Sequence, residues 1–161
     1  MPFLETQSQA WDTAFWEFSL VFENLKDDDM WQRADAQLLS VGEIVCHMVY
    51  ALCEYSQKIE PSSGVESPLA RYEARYYLHT LADQVVLGMS VAEVAAELDR
   101  VQKAVKAIFM RSPATRETPL EFEGPGRTYG EFADYMVFHV AYHTGQAFSV
   151  RHLMGHETND N

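Results

Sequence analysis

The sequence contains little cysteine, and this shortage excludes a disulfide-based fold. Only two cysteines occur among 161 residues, Cys46 and Cys53. They lie seven positions apart in one predicted helix, where a rise of ~1.5 Å per residue separates them by ~10 Å, which is too far for a disulfide. The N-terminal MPFLETQSQAW also lacks the basic and apolar regions of a signal peptide. We therefore expect the chain to reside in the reducing cytoplasm.

Basic residues and long apolar runs are also scarce. Only 12 Lys and Arg stand against 24 Asp and Glu, so the formal net charge is −12. Nucleic acids and anionic membranes bind clustered cations, whereas the basic residues here are scattered, with loose pairs such as Lys103 and Lys106. The apolar stretches 44–53 and 135–142 each contain a histidine and fall short of the ~20 residues that span a bilayer. We expect no nucleic-acid partner and no membrane partner.

Helix start signals, in contrast, are plentiful. A Ser or Thr followed three residues later by Glu or Gln is the signature of a capping box. Four such pairs precede apolar-periodic segments: Thr6 with Gln9, Ser40 with Glu43, Ser90 with Glu93, and Thr128 with Glu131. The segments behind them predict helices over residues 7–25, 41–60, 91–111 and 128–154.

A further helix is predicted to begin at Ser67-Pro68 and to run to Gly88, because proline is favoured in the first turn of a helix. Residues 112–127 contain three prolines and two glycines, which predicts a loop. The pattern predicts an all-α fold: an up-and-down four-helix bundle with an additional helix or a long connection. We expect a single domain over residues 1–161.

Three of the six histidines lie on apolar helix faces, which is unusual for a polar side chain. His139 and His143 are four residues apart, so they lie ~40° apart on the helical wheel and about one turn apart along the axis. His47 has almost wholly apolar neighbours in the second long helix. Buried imidazoles are costly unless each nitrogen finds a partner. The three residues are therefore either ligands of a metal ion or core histidines that hydrogen-bond to one another.

Three histidine ligands with a fourth position open to water or substrate are typical of a catalytic zinc-type site, whereas structural sites usually close all four positions with thiolates. Imidazole suits Zn²⁺, Ni²⁺, Fe²⁺ and Cu²⁺, with Mn²⁺ a further candidate, so the ligand type does not identify the metal. Two other metal motifs are excluded. A peptidase H-E-x-x-H would need Glu in place of Val140, and no Glu-x-x-His pair of a di-iron bundle occurs.

Two polar residues are weaker candidates for a catalytic role. Gln146 lies about one turn past His143, where it either hydrogen-bonds a water at the site or caps the polar end of the cavity. Glu54 follows His47 by seven residues, about 20° away on the wheel. It is either a supporting carboxylate or general base, or a solvated glutamate at the end of the bundle. The two cysteines are expected to pack as small hydrophobic residues.

Four segments carry a combined pattern: residues 31–33 (WQR), 40–47 (SVGEIVCH), 128–132 (TYGEF) and 139–146 (HVAYHTGQ). A histidine near the start of the second long helix, joined by H-x-x-x-H-x-G-Q on the last one, resembles the DinB-like (YfiT-like) family of four-helix-bundle metalloproteins. The similarity covers most of the chain. Thr144 is a departure, because many members carry Arg at that position.

The resemblance implies that a divalent ion, often nickel or zinc, is held by His47, His139, His143 and waters, in a homodimer. Characterised relatives include thiol-dependent enzymes that act with mycothiol or bacillithiol, such as maleylpyruvate isomerase and thiol S-transferases. Three hypotheses follow. The first is a metal-dependent S-transferase or isomerase that uses a small thiol and an electrophile, or else a metal-dependent hydrolase. The second is a non-catalytic metal-binding stress-response or sensor protein, and the third is a metal-free structural or ligand-binding bundle.

Overall fold

The computed structural model describes residues 5–71, 74, 83–121 and 126–157. These residues form an all-helical bundle, which confirms the predicted all-α class. Its helices are α1 Glu5–Ser19, α2 Asp27–Met30, α3 Val41–Ile59, α4 Val91–Arg111 and α5 Tyr129–Leu153. Within the described ranges no helix is long and apolar enough to cross a membrane, and the only β-type pairing is one isolated bridge between Pro119 and Thr128.

Three long helices begin at the capping boxes that the sequence predicts. Ser40, Ser90 and Thr128 each accept a hydrogen bond from the backbone N–H three residues later, and the Glu at that position bonds back to the N-cap backbone. Predicted and observed bounds of α3, α4 and α5 agree to within one residue at each end. The starts of these helices are therefore determined by local sequence.

The first helix ends earlier than the sequence predicts. The apolar spacing predicts a helix over residues 7–25, whereas α1 ends at Ser19 and a short 3-10 turn follows, and Thr6 lies inside α1. The buried guanidinium of Arg151, on α5, donates hydrogen bonds to three carbonyls beyond α1: those of Leu20, Val21 and Glu23. Asn24 then adopts a left-handed conformation with φ 58°. The chain therefore leaves the α-helical conformation where Arg151 of α5 binds its backbone carbonyls.

The helix predicted over residues 68–88 is absent where it can be described. The described residues at its ends are not helical: 68–71, 74 and 83–88. The remainder of the prediction lies outside the described residues: 72–73 and 75–82. The backbone N–H of Val85 donates to the carboxylate of Glu43, at 3.0 Å, instead of to a helical carbonyl. The described residues between α3 and α4 therefore form no α-helix.

The two described ends of the connection between α3 and α4 lie at opposite ends of the bundle, so α3 and α4 run in the same direction. The Trp31 ring packs on Gly42 near the start of α3. Its indole N–H donates to the carbonyl of Met89, just before α4, at 2.8 Å. At the opposite end, Glu60 follows α3 and forms an ion pair with Arg111 at the end of α4. The two helices are therefore parallel neighbours.

The last helix packs parallel to α1 and antiparallel to α3. Gln7, near the start of α1, donates to Asp134, near the start of α5, at 3.0 Å. Tyr55, near the end of α3, contacts Phe132 at the start of α5, with ring centroids 4.7 Å apart. The order of helix directions is thus up, down, down, up, as in bundles with a long crossover, and it differs from the up-and-down order that the sequence predicts. The antiparallel packing of α3 on α5 positions the site described next.

Candidate metal centre

The facing surfaces of α3 and α5 bring the three histidines together. His47 lies in the second turn of α3, and His139 and His143 lie on consecutive turns of α5. One ring nitrogen from each of them lies within 4.8 Å of the other two. The structure thus joins the pair on α5 with the single histidine on α3, and their assignment as metal ligands stays a prediction.

The Nε2 atoms of the three rings converge on one point. The Nε2 atom of His139 lies 3.3 Å from that of His47 and 3.0 Å from that of His143. Two nitrogens that each lie ~2.0–2.1 Å from one ion, at tetrahedral or octahedral angles, are about 2.9–3.4 Å apart. The observed spacing therefore fits three nitrogen ligands of a single ion, with further coordination positions left for water or substrate.

Gln146 orients the ring of His143. Its Oε1 atom lies 2.7 Å from Nδ1 of His143 and accepts the proton of that nitrogen. The Nε2 atom of the ring consequently keeps a lone pair directed at the other two histidines. The amide nitrogen of Gln146 donates to the hydroxyl of Tyr142 at 3.1 Å. Gln146 thus supports a predicted ligand, as partners of metal-binding histidines commonly do, and this differs from both roles that its spacing suggests.

Burial keeps the imidazoles on α5 neutral. Burial, together with the neighbouring His143 and His47, lowers the pKa of His139 to about 3. Burial also lowers the pKa of His143, although its hydrogen bond to Gln146 acts in the opposite direction. At neutral pH both rings therefore carry the unprotonated nitrogen that a metal ion binds.

Hydrogen bonds among the neutral rings account for only one of the two short Nε2 contacts. Because the proton of His143 is on Nδ1, a bond to its Nε2 must use the proton on Nε2 of His139. The Nε2 atom of His139 then has no lone pair and no second proton with which to bond the Nε2 atom of His47, 3.3 Å away. A cation at the point of convergence would account for both short contacts, so the donor set fits a metal ion.

The structure does not bring Glu54 into the cluster. Its Oε1 lies 3.1 Å from Nζ of Lys58, and both side chains are more than a third exposed. Seven residues of helix separate Glu54 from His47, which corresponds to ~10 Å along α3. The arrangement agrees with a solvated glutamate at the end of the bundle and gives no support to a general base.

Other residues near the histidines pack without joining them. Cys46 and Cys53 are buried and not in a disulfide, and burial raises the pKa of the Cys53 thiol to about 11. Both agree with the predicted packing role. Thr144, where the resemblance leads one to expect Arg, is buried and donates to the carbonyl of Val140 at 2.9 Å. This position therefore brings no charge to the site.

Three aromatic side chains of α5 border the histidines, and the sequence reasoning did not select them. Tyr135, Phe138 and Tyr142 are 44%, 61% and 53% exposed, and we call them the aromatic row. The ring centroid of Tyr135 lies 5.8 Å from that of His139, and the centroid of Tyr142 lies 5.2 Å from that of His143. The available signal was their spacing of three and four residues on the helix that carries two histidines.

A separate groove of about 300 Å³ lies between α1 and α4. Its lining is aromatic and acidic: Asp12, Phe15, Trp16, Ser19, Phe22, Ala95, Leu98, Asp99 and Gln102. Its two carboxylates are already in ion pairs, with Lys106 and Lys103 respectively, each at 2.6 Å. The three histidines are not among its lining residues, so the groove and the histidine cluster are separate features.

Comparison with known proteins gives one family match. The family model of the DinB superfamily matches residues 10–147, a stretch that contains all three histidines and Gln146. No curated protein and no solved structure gives a significant match. The family match covers well over half of the chain and includes the helices that form the cluster. The chain therefore belongs to the DinB superfamily.

Proposed function

We propose that this protein binds one divalent metal ion, zinc or nickel before iron, manganese or copper, through His47, His139 and His143. We further propose that it is a metal-dependent enzyme of the thiol S-transferase or isomerase type. The observation that carries the proposal is the convergence of three Nε2 atoms, with spacings of 3.0 and 3.3 Å that match nitrogen ligands of a single ion.

When bound, such an ion supplies a Lewis-acid position that holds a small thiol as its nucleophilic thiolate. The residues of the chain do the rest. Three imidazoles provide the ligands, and Gln146 holds the proton on Nδ1 of His143 so that Nε2 faces the site. The histidine cluster includes no carboxylate among the described residues. This favours a substrate that ionises easily, such as a thiol with a pKa of ~8.5, over hydrolysis with a carboxylate as general base.

The lack of a carboxylate in the described cluster also favours a second candidate function. A protein that binds the ion without turnover, as a sensor or stress-response protein, needs the three ligands and no general base. The two functions differ in whether a thiol and an electrophile are consumed at the site.

A homodimer in the cytoplasm completes the proposal. Trp16 projects from α1 and is 59% exposed, which supports an apolar contact between two copies. Light scattering at micromolar concentration should give about twice the monomer mass, and a monomer would contradict this part.

Metal content is the first test. Untagged protein, purified without an immobilised-metal column, should contain about one equivalent of a single metal by plasma mass spectrometry. His143→Ala should lose most of it with unchanged helical circular dichroism. His152→Ala, on the same helix but outside the cluster, should retain it. No metal in the wild type, and no uptake on titration, would overturn the proposal.

The thiol is tested on the Co²⁺-substituted protein. Millimolar cysteine should shift the visible absorption bands of Co²⁺, whereas S-methylcysteine, which has no ionisable thiol, should not. Identical spectra with both compounds would contradict the thiol assignment. Conjugation of the thiol to a small electrophile that is lost in His143→Ala would separate the enzyme from the sensor.

A further inference from the structure

We infer that the aromatic row is the substrate wall of the three-histidine site, and that the site takes ligands in which a metal-binding donor carries a flat, uncharged aromatic or conjugated group. The inference rests on the proposed function and adds the substrate class to it. Its basis is the placement of Tyr135, Phe138 and Tyr142 beside the converging imidazoles.

The aromatic row is continuous with the predicted ligands. Tyr135 contacts the ring of His139, and Tyr142 contacts the ring of His143 at an angle of 77°. Phe138 lies between the two tyrosines, with centroid distances of 6.4 and 6.1 Å. A ligand that is attached at the histidine cluster and extends along α5 would therefore meet these rings first.

The rings form one surface. The planes of neighbouring rings are inclined by 38° and 30°, so that their faces point in similar directions. Gly145 lies one turn beyond Tyr142, and a Cβ atom placed on it would meet no atom within 4 Å. Flat faces with open space beside them suit the offset stacking of a planar group.

The exposure of the aromatic row is concentrated at the site. Other large apolar side chains that are exposed in the described part of the chain lie on different segments or at helix ends: Trp16, Val86, Met110 and Leu153. Single exposed apolar residues are common, whereas a contiguous group at the edge of a polar site is typical of ligand binding. The row also contains no charged side chain, in a chain with a net charge of −12. An uncharged partner therefore fits it better than an anionic one.

A hydrogen bond holds the Tyr142 side chain in position beside the histidines. Its hydroxyl accepts a hydrogen bond from Gln146 at 3.1 Å, and the same Gln146 accepts the proton of His143. Gln146 thus positions both a ring of the aromatic row and one predicted metal ligand. This fixes the position of the ring relative to the point where a bound donor would lie.

Two hydroxamates test the inference on Co²⁺-loaded protein, because they share a metal-binding head and differ in the attached group. Benzohydroxamate should bind about tenfold more tightly than acetohydroxamate to the wild type. Phe138→Ala should bring the two dissociation constants to within about twofold and leave acetohydroxamate binding unchanged. Leu153→Ala, an equally exposed apolar position on the same helix, should retain the wild-type ratio.

Each alternative has its own outcome. If the ratio is the same in wild type and Phe138→Ala, the substrate wall is overturned. If Phe138→Ala instead converts a dimer to a monomer and leaves the ratio unchanged, the aromatic row is an interface between two copies and the inference is likewise overturned. A protein that takes up no metal overturns the proposed function and the inference with it. If the protein takes up metal and binds acetohydroxamate, but binds benzohydroxamate no more tightly, the inference is overturned and the proposed function is not.

Discussion

The side chain of Gln146 accepts the Nδ1 proton of His143 across 2.7 Å, so a residue outside the histidine cluster determines which nitrogen of His143 faces it. Both residues lie on α5, three positions apart, on adjacent turns. The ring therefore enters the cluster in the tautomer that a metal ion requires.

Substitution of Gln146 should change metal affinity without unfolding the protein. Gln146→Leu removes the acceptor, and the dissociation constant for Zn²⁺ should rise about 10- to 100-fold. Gln146→Glu supplies a stronger acceptor and should lower it, because a carboxylate increases the basicity of the ring. Competition with a chromophoric chelator measures both values.

Tyr142→Phe is the matched control for Gln146. It removes the hydroxyl that accepts from the Gln146 amide and leaves the bond to His143 in place. Its effect on Zn²⁺ affinity should be smaller than that of Gln146→Leu. An unchanged affinity in Gln146→Leu would show that Gln146 does not support the ligand.

Glu43 should contribute strongly to stability, because its buried carboxylate joins three segments. It accepts two hydrogen bonds from Arg33, at 2.8 and 2.5 Å, and one each from the backbone N–H groups of Ser40 and Val85. Glu43→Gln removes the carboxylate that pairs with Arg33, and the free energy of unfolding in urea should fall by about 3 kcal/mol. Glu93→Gln alters an exposed capping box of the same design and should have a much smaller effect.

The contribution of Glu43 should depend on pH. Burial acts to raise the pKa of its carboxyl, but the bonds from Arg33 and the two backbone N–H groups outweigh burial, so that the pKa lies below its ordinary value of 4.5. The stabilisation is therefore complete above that value and is lost as the pH falls through the lowered pKa. The difference in unfolding free energy between wild type and Glu43→Gln should shrink from about pH 6 to about pH 3. A constant difference would contradict this prediction.

Two glycines should respond to alanine in opposite directions. A Cβ atom on Gly42 would lie 2.5 Å from Cε3 of Trp31, so Gly42→Ala should destabilise the protein by about 1–3 kcal/mol. Gly145 lies inside α5, and a Cβ atom there would meet nothing within 4 Å. Gly145→Ala should therefore stabilise the protein by about 0.5–1 kcal/mol. Thermal unfolding measures both, and an unchanged or raised midpoint for Gly42→Ala would show that Trp31 is not packed on Gly42.

The sequence by itself determined the features that depend on neighbours within a few residues. The capping boxes at Ser40, Ser90 and Thr128 set the starts of three helices, because a cap bonds to backbone groups only three positions away. The same local geometry placed His139 and His143 on one face, since residues four apart in a helix are neighbours.

Only the tertiary structure decided what depends on residues distant in sequence. Arg151 ends α1 from a position 131 residues after Leu20, and Glu43 binds the backbone of Val85 42 residues away. His47 meets His139 across 92 residues because the long connection makes α3 antiparallel to α5. No helical period encodes such pairings, because they arise when whole helices pack against each other, and that packing converts three separate histidines into one cluster.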